Sequence, residues 1–372
     1  MEFTVSKSDL VQELNLSQGV VEKKTTIPIL SNVLLEAAGD RLTLTATDLD
    51  LGVRCSCPAR VKKEGSGTVP ARKLLDYVQR LPEADVNMKF LENHWASITC
   101  GRSRARIAGM SRESFPELPE MPPQIAEIPV KTLASMIERT AFAISMEESR
   151  FTLNGALLLL RPEGLIMVAT DGHRLAYVQV PAAESGEVSQ QFRALVPRKA
   201  MMELVKLADQ AGEDAKAGFA GNDNHLFFQV GHRLLMARRL TGNFPDYERV
   251  LPKDHPLLVK LQKDEIRSAI ERVAQFADER SRAIRVQFTN GEVRVFSSSV
   301  EMGESEDSVP SEYAGPDLEI GFNAQYLLDF LRVVPQDQVA IELKDQKSAG
   351  ELKPADGGTS EQYRYVVMPM RI

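Results

Sequence analysis

The chain has 372 residues, 43% of them hydrophobic and 26% charged, with a formal net charge of −7, which allows two or three domains with separate cores and describes an ordinary soluble globular protein. The opening MEFTVSKSDLVQEL lacks a basic stretch followed by an apolar run, and no segment approaches the roughly 18 apolar residues of a membrane span, so neither a secretion signal nor a membrane anchor is expected. Three cysteines, an odd number, argue against a disulfide framework and for the reducing cytoplasm, and the acidic balance argues mildly against general affinity for nucleic acid.

In chain order, SDLVQELNLSQGVV reads as a first helix with Ser8 as its N-cap, followed by alternating strand patterns such as RLTLTATDLDLGV. TVPARKLLDYVQRLP (68–82) is a second helix, entered through Val-Pro and an Arg-Lys pair. The Pro-rich SFPELPEMPPQIAEIP (114–129) resists both helix and central strand and reads as a linker. The pattern then starts again. KTLASMIERTAFAI sets Leu133, Met136, Ile137 and Thr140 on one helical face, and LIMVATDGHRLAYV repeats the earlier Thr-Asp strand end, with Asp48 and Asp171 123 positions apart. LVPRKAMMELVKLAD (195–209) repeats the Val-Pro-Arg-Lys helix, and NFPDYERVLPKDHP (243–256) is a second linker. A third round holds DEIRSAIERVAQFA with Asp264 as N-cap, a hairpin turning at Asn290-Gly291, and IGFNAQYLLDFLRVVP, which keeps the apolar stripe but loses the basic pair. The expectation is three domains of common ancestry, each α+β with helices on one side of antiparallel sheets, over residues 1–122, 128–251 and 256–372.

Charge sorts by element. The helical segments 7–24, 71–80, 131–146, 198–209, 263–282 and 323–337 carry +3, which leaves −10 on the rest. This is either ordinary solvated helix surface or a helical face turned toward a polyanion. GRSRARIAGMSR (101–112) and VEMGESEDS (300–308), both strand-like, carry opposite charge. They suit head-to-tail pairing between two copies, or are two strands whose charges prevent edge pairing.

The segment VATDGHRLAYV (168–178) puts an acid, a flexible backbone point, a base and a fixed cation side by side. A hydrolase using Asp171 and His173 is one reading, and a binding site is the other. The first copy, TATDLDLGV, has no His or Arg directly after its Asp, which points to one specialised copy of a duplicated scaffold. Cys55 and Cys57 share a strand face, but no second pair or nearby His completes a metal site, and the five His show no ligand spacing. No Gly-rich phosphate loop, nucleophile elbow or paired-carboxylate motif appears.

Together IPILSNVLLEA, VPARK, VATDGHRLA, FPDYERVLP, EIGFNAQYLLDFL and the terminal YVVMPMRI resemble the bacterial DNA sliding clamps, the beta subunits of replicative DNA polymerase III, over the whole chain. The resemblance implies three similar domains per chain and two chains per ring, with helices lining a central hole and sheets outside. It implies a non-catalytic processivity factor that encircles duplex DNA without a cofactor. Its partners would be the replicative polymerase, a clamp loader, and other polymerases, ligase and mismatch-repair proteins.

Carried over residue by residue, the resemblance places a partner-peptide pocket at Leu153, Thr170, Gly172, His173, Arg174, Leu175, Pro245, Arg249 and Val250, completed by Asn323, Tyr326, Val366, Met368, Pro369, Met370 and Arg371. Lys24, Arg72, Arg150, Arg198 and Lys199 would face DNA. Arg102, Arg104, Ile107, Phe276, Glu301, Glu304, Glu306 and Asp307 would form the dimer interface, with Ile107 and Phe276 supplying apolar contact. Ala105 stands where a bulky aromatic is frequent, Glu147 and Glu148 where DNA-facing polar residues are usual, and Lys347 and Ala349 fit the pocket rim poorly. A Met-lined pocket suits several apolar partners, and its residues, Arg174 included, are expected to matter for partners and not for folding.

Overall fold

The computed structural model describes the chain apart from residues 22–25, 301, 356–360 and 372. It packs as two compact units, Met1–Ala134 with Lys199–Arg239, and Ser135–Arg198 with Leu240–Ile372. The α-helices among the described residues are α1 (Lys7–Val20), α2 (Ala71–Val78), α3 (Val130–Glu138), the short α4 (Ala182–Ser185), α5 (Arg198–Asp209), α6 (Lys263–Val273) and α7 (Ala324–Val333).

In the first unit Leu10 and Leu14 of α1 and Leu74, Leu75 and Val78 of α2 are buried against Phe3, Val33, Leu35, Leu42, Leu44 and Cys55 from the strands. Each such side chain contributes about 1.5–3 kcal/mol by leaving water. One sheet runs Arg60–Lys63, Glu2–Ser6, Asp85–Phe90, Trp95–Cys100, Ser103–Ala108. A second runs, within this unit, Ala126–Pro129, Lys216–Gly221, His225–Val230, Arg233–Arg238, Leu51–Pro58, Arg41–Thr47, Asn32–Ala38, Gly65–Pro70. The linker residues Leu118 and Met121 pack on Ala220, Phe227 and Met236.

The second unit repeats the scheme. Its larger sheet runs Phe192–Pro197, Gly155–Arg161, Gly164–Thr170, Arg174–Pro181, Gln362–Val367, Gly350–Pro354, Gln338–Leu343, Leu257–Gln262, and its smaller one Gly303–Pro310, Glu292–Ser299, Ala283–Thr289, Leu318–Asn323. The hairpin expected at Asn290-Gly291 is present, with Thr289 opposite Glu292 and Gly291 at φ 79°.

Each larger sheet contains a similar antiparallel joint, in registers that differ by one residue. A six-residue strand, Arg233–Arg238 or Gln362–Val367, adds onto an eight-residue strand that ends in proline, Leu51–Pro58 or Arg174–Pro181. Ser103–Ala108, one of several six-residue strands at sheet edges, and the eight-residue Gly303–Pro310, which also ends in proline, stand at the edges of their sheets.

Three expectations need correcting. The α1 cap is Ser6, whose hydroxyl accepts the Asp9 N–H at 3.1 Å, and Ser8 lies inside the first turn. Asp264 is likewise within the first turn of α6, behind Gln262. The segments 131–146 and 263–282 are not single helices. In the first, Thr140 Oγ1 donates back to the Met136 carbonyl at 2.8 Å and a tighter turn, Ala141–Ala143, follows. In the second, Ala274–Phe276 tightens, and Asp278 Oδ1 accepts the N–H groups of Arg280 and Ser281.

The duplicated Thr-Asp strand end is one turn built twice. Thr47 Oγ1 accepts the Leu49 N–H at 3.0 Å and donates to the Leu51 carbonyl, while Asp48 Oδ1 accepts from Asp50 and Leu51. Thr170 and Asp171 make the same four bonds to Gly172, Arg174 and His173. The turn forces its third residue to positive φ, 91° at Gly172 and 81° at Leu49. An L-residue there costs about 1–2 kcal/mol, of which glycine returns part as chain entropy. Leu49 is half exposed, so little burial is lost with its side chain. Leu49→Gly is therefore expected to raise stability by about 0.5–1 kcal/mol, read as a higher urea midpoint at unchanged slope. A lower midpoint would mean that the Leu49 side chain holds the turn.

Candidate functional site

The turn at Thr170–Arg174 fixes the site. Asp171 is not poised as an acid or base: its Oδ1 takes the backbone N–H of His173 (2.9 Å) and Arg174 (3.1 Å), and its Oδ2 takes Arg174 Nε at 3.0 Å. The His173 side chain points outward and is exposed, while its carbonyl accepts the Met368 N–H at 2.9 Å. The acid and base of the hydrolase reading are thus a turn-former and a surface ring.

Arg174 is turned inward. Its Nη1 donates to Asp329 Oδ2 at 2.6 Å and to the Tyr365 hydroxyl at 3.5 Å, and its Nη2 to the Phe142 carbonyl at 2.5 Å. The guanidinium lies 4.3 Å from the Tyr326 ring centre and 5.5 Å from that of Phe142, within cation–π range. Burial disfavours its charge, yet Tyr365, Asp329 and Asp171 outweigh that and raise its pKa further. Burial pushes the Tyr365 hydroxyl far up, against the pull of Arg174.

Beside this bolt lies an apolar cluster. Leu157, Leu175, Leu195, Tyr177, Phe244, Tyr247 and Val366 are buried together, with Leu153, Val250 and Ala349 packed against them. The Tyr177 and Tyr247 rings are 5.9 Å apart, and burial raises the Tyr177 hydroxyl to about 12. The C-terminal strand Gln362–Val367 brings Val366 opposite Leu175. Beyond it Met368 is exposed, Pro369 and Met370 are half-buried, and Met370 N–H bonds the Gly321 carbonyl at 2.8 Å. Pro245 and Arg249 are exposed, Arg249 paired with Asp246, at the open side of Val250. Thr170 is buried in the turn. Asn323 caps α7, accepting the N–H groups of Gln325 and Tyr326. The rim is less irregular than its sequence suggests: Asp345 Oδ1 accepts from Lys347 and Ser348, and Ala349 packs onto the cluster.

The residues assigned to DNA divide. Lys24 lies outside the described residues. Arg72 is exposed on α2, where with Lys73, Gln18 and Asp76 it lines a cavity of about 640 Å³, and Arg198 is exposed at the start of α5. Arg150 donates to the Asp171 carbonyl at 2.7 Å and pairs with Glu147, so it also supports the turn. Lys199 bonds Asp48 and the Val20 carbonyl, in the place of the duplicated turn where Asp171 holds Arg174.

Of the interface residues, Arg102 is exposed in a hairpin turn, and Arg104 and Arg106 are exposed on the edge strand. Ile107 points the other way and is buried in the core of its own unit, so it has no apolar surface to offer a partner. Glu304 and Glu306 are exposed on the second edge, and Glu301 lies outside the described residues. Asp307 falls on the opposite face of that strand, where Arg272 Nε binds it at 2.5 Å and lowers its pKa. Phe276 is half-buried, its ring 3.9 Å from where a Gly303 side chain would begin.

No sequence pattern links Asp329, Phe142, Tyr365, Phe244 and Tyr247 to the Thr170–Arg174 turn. The replacement of the basic pair by Gln325-Tyr326 in the third copy was the available signal for a changed role there.

The chain is similar to known proteins along its whole length. Family models for the DNA polymerase III beta subunit match it three times: the N-terminal domain at residues 1–119, the central domain at 127–246 and the C-terminal domain at 248–371. It is 37% identical over 378 residues to the beta sliding clamp of Pseudomonas aeruginosa and 36% identical over 381 residues to that of Caulobacter vibrioides, in each case across 100% of both chains. The crystal structure of the DNA polymerase III subunit beta from Pseudomonas aeruginosa superposes with a TM-score of 0.93 at 36% identity, covering both chains fully. The sliding clamp from Bacillus subtilis shares the fold at 24% identity with a TM-score of 0.94, over 100% of this chain and 99% of that one.

Proposed function

The chain belongs to the DNA polymerase III beta-subunit family, the bacterial sliding clamps, and from that premise we propose that two copies close head to tail into a ring around duplex DNA and hold partner proteins by an extended peptide at the Arg174 turn. It is a DNA polymerase processivity factor of three clamp domains, non-catalytic in itself. The proposed domain limits are 1–122, 128–251 and 256–372.

One observation carries the ring. A six-residue strand adds onto an eight-residue strand ending in proline twice within the chain, in registers one residue apart, and two strands of these lengths with opposite charge, Ser103–Ala108 and Gly303–Pro310, stand at sheet edges. Matching Ser103–Ala108 to Arg233–Arg238 and Gly303–Pro310 to Leu51–Pro58, in the register of that joint, sets Arg106 opposite Glu304 and Arg104 opposite Glu306. The register of the Gln362–Val367 joint would instead set Arg104 opposite Asp307, which Arg272 already holds. All four side chains paired in the first register are exposed, as cross-strand partners on one face must be. The apolar share of that contact falls to Phe276, Val300 and Met302, exposed or half-exposed beside the acidic strand.

At the peptide site, the cluster around Leu175, Val366, Val250 and Leu153 supplies burial for one or two apolar anchors, and the flexible Met368 and Met370 adapt to their shape. The replicative polymerase, the clamp loader and other replication and repair proteins would share it in turn. Arg150 and Glu147 sit at its edge, where Arg150 supports the turn.

With Lys199 and Arg150 already engaged by protein groups, direct phosphate contacts would be few and retention topological. A protein gripping six to ten phosphates loses about 10³–10⁵ in affinity between ~50 and ~200 mM salt. The protein loaded on a nicked circle should survive such a wash and run off once the circle is cut. Loss from the intact circle at moderate salt, or retention on free-ended linear duplex, would show binding by contact instead.

A further inference from the structure

Two opposite charges lie inside the first unit, away from the sites described above. Glu13 on α1 is 3% exposed, and Arg233, the first residue of Arg233–Arg238, 6%. Arg233 Nε donates to Oε2 of Glu13 at 3.1 Å and Nη2 to Oε1 at 2.7 Å. His232 Nε2 stands 3.3 Å from Oε1, and Cys55 Sγ donates to the Glu13 carbonyl at 3.7 Å. Burial works against the ionised carboxyl of Glu13, but Arg233 outweighs it and keeps the group below the usual range.

The pair ties a helix of the N-terminal clamp domain to a strand of the central one, 220 positions away. A buried ion pair adds little over an apolar pair of the same volume, but it strongly disfavours any arrangement that separates the charges. The strand that starts at Arg233 needs such discrimination. It joins Leu51–Pro58 through only four residue pairs, Leu234↔Arg54, Leu235↔Val53, Met236↔Gly52 and Ala237↔Leu51. Leu235 and Ala237 meet Val53 and Leu51, and Cys55 continues the same face, so a slip of two residues still sets apolar against apolar. Such a slip moves the strand by about 7 Å and leaves both charges buried and apart. Gly52 opposite Met236 is a second marker, since a Cβ there would come within 3.2 Å of Met236 Cε.

We propose that the Glu13–Arg233 pair is a register lock, which fixes the residues at which the central domain's strand Arg233–Arg238 adds onto Leu51–Pro58 of the N-terminal domain. Hydrogen exchange on the full chain tests it. The E13M–R233M double variant should keep a cooperative unfolding transition while the amides of Leu234–Ala237 exchange at least tenfold faster and those of Leu318–Asn323 do not change. L235C reads the register directly. In the native pairing position 235 faces Val53, and only a two-residue slip sets it opposite the native Cys55, at a separation a disulfide can bridge. Mild oxidation should form that disulfide in the E13M–R233M background and not with the pair intact. E13Q should give the same two results in smaller measure, and it stands in if the double variant does not fold. Unchanged protection without the disulfide overturns the lock. So does faster exchange without the disulfide, which is loosening at constant register, and so does faster exchange spread evenly over both units.

Discussion

Replacing Arg104 and Arg106 together by Glu should turn the proposed dimer into monomers at micromolar concentration, and replacing Glu304 and Glu306 by Arg in the same chain should restore it. In the proposed register each interface holds Arg106 against Glu304 and Arg104 against Glu306, so two interfaces hold four pairs. An exposed pair contributes only up to about 1 kcal/mol, and like charges directly opposite cost a similar amount. At roughly 1 kcal/mol for each of four reversals, dimerisation weakens by about a thousandfold. Sedimentation velocity across a dilution series reads this. The rescue gives the test its force, since a reversal that merely disturbed folding would not be cured by changes on the other edge. Asp307 should behave differently. It faces Arg272 within its own unit, so Asp307→Asn should leave the dimer nearly unchanged. Monomers from D307N, or an unmoved dimer in R104E–R106E, would place the contact elsewhere.

The outcome at Ile107 shows what a strand pattern does and does not tell. Alternation in SRARIA marks a strand with Arg104 and Arg106 on one face, and the structure has that strand at a sheet edge. The same alternation puts Ile107 on the other face, so grouping it with the arginines contradicted the period of two. Asp307 is the same case, one residue out of step with Glu304 and Glu306. The repeat was legible in two of its copies because each keeps its own turn chemistry, Thr47-Asp48 and Thr170-Asp171, and in the third through the apolar stripe of its second helix. What the turn does next is not local. Lys199 reaches Asp48 from 151 positions away, and Asp329 reaches Arg174 from 155. No spacing rule links such residues. The Glu13–Arg233 pair is the extreme, because Glu13 lies on the apolar stripe of its helix with Leu10 and Leu14, and nothing local names the cation that balances it. Charge in a sequence says how many ions there are, and tertiary structure decides which of them are buried.

That distinction separates the two neighbours His173 and Arg174, which the sequence had joined as one wall of a pocket indifferent to folding. His173→Ala removes an exposed ring, and its stability cost should lie within about 0.5 kcal/mol. Its effect should appear in the affinity for a polymerase-derived peptide with apolar anchors. Arg174→Ala is a different change. The side chain is 10% exposed, and its loss leaves Asp171 Oδ2, Asp329 Oδ2 and the Phe142 carbonyl without their cation. Breaking a buried pair by deleting one partner costs about 3–5 kcal/mol, because the remaining charge stays buried and alone. Loss of the contacts to Tyr326 and Phe142 adds to this. Arg174→Ala should therefore lower the unfolding midpoint steeply and abolish peptide binding as well, because the turn that presents Gly172 and His173 is no longer held. Arg174→Lys keeps the charge but has one ammonium for acceptors that the guanidinium meets along separate edges. It should fall between the two. Urea unfolding and peptide titration on the same three variants separate the roles: stability falls from H173A through R174K to R174A. If R174A were as stable as H173A while binding no peptide, Arg174 would be a peptide contact after all, and the inward geometry would not describe the protein in solution.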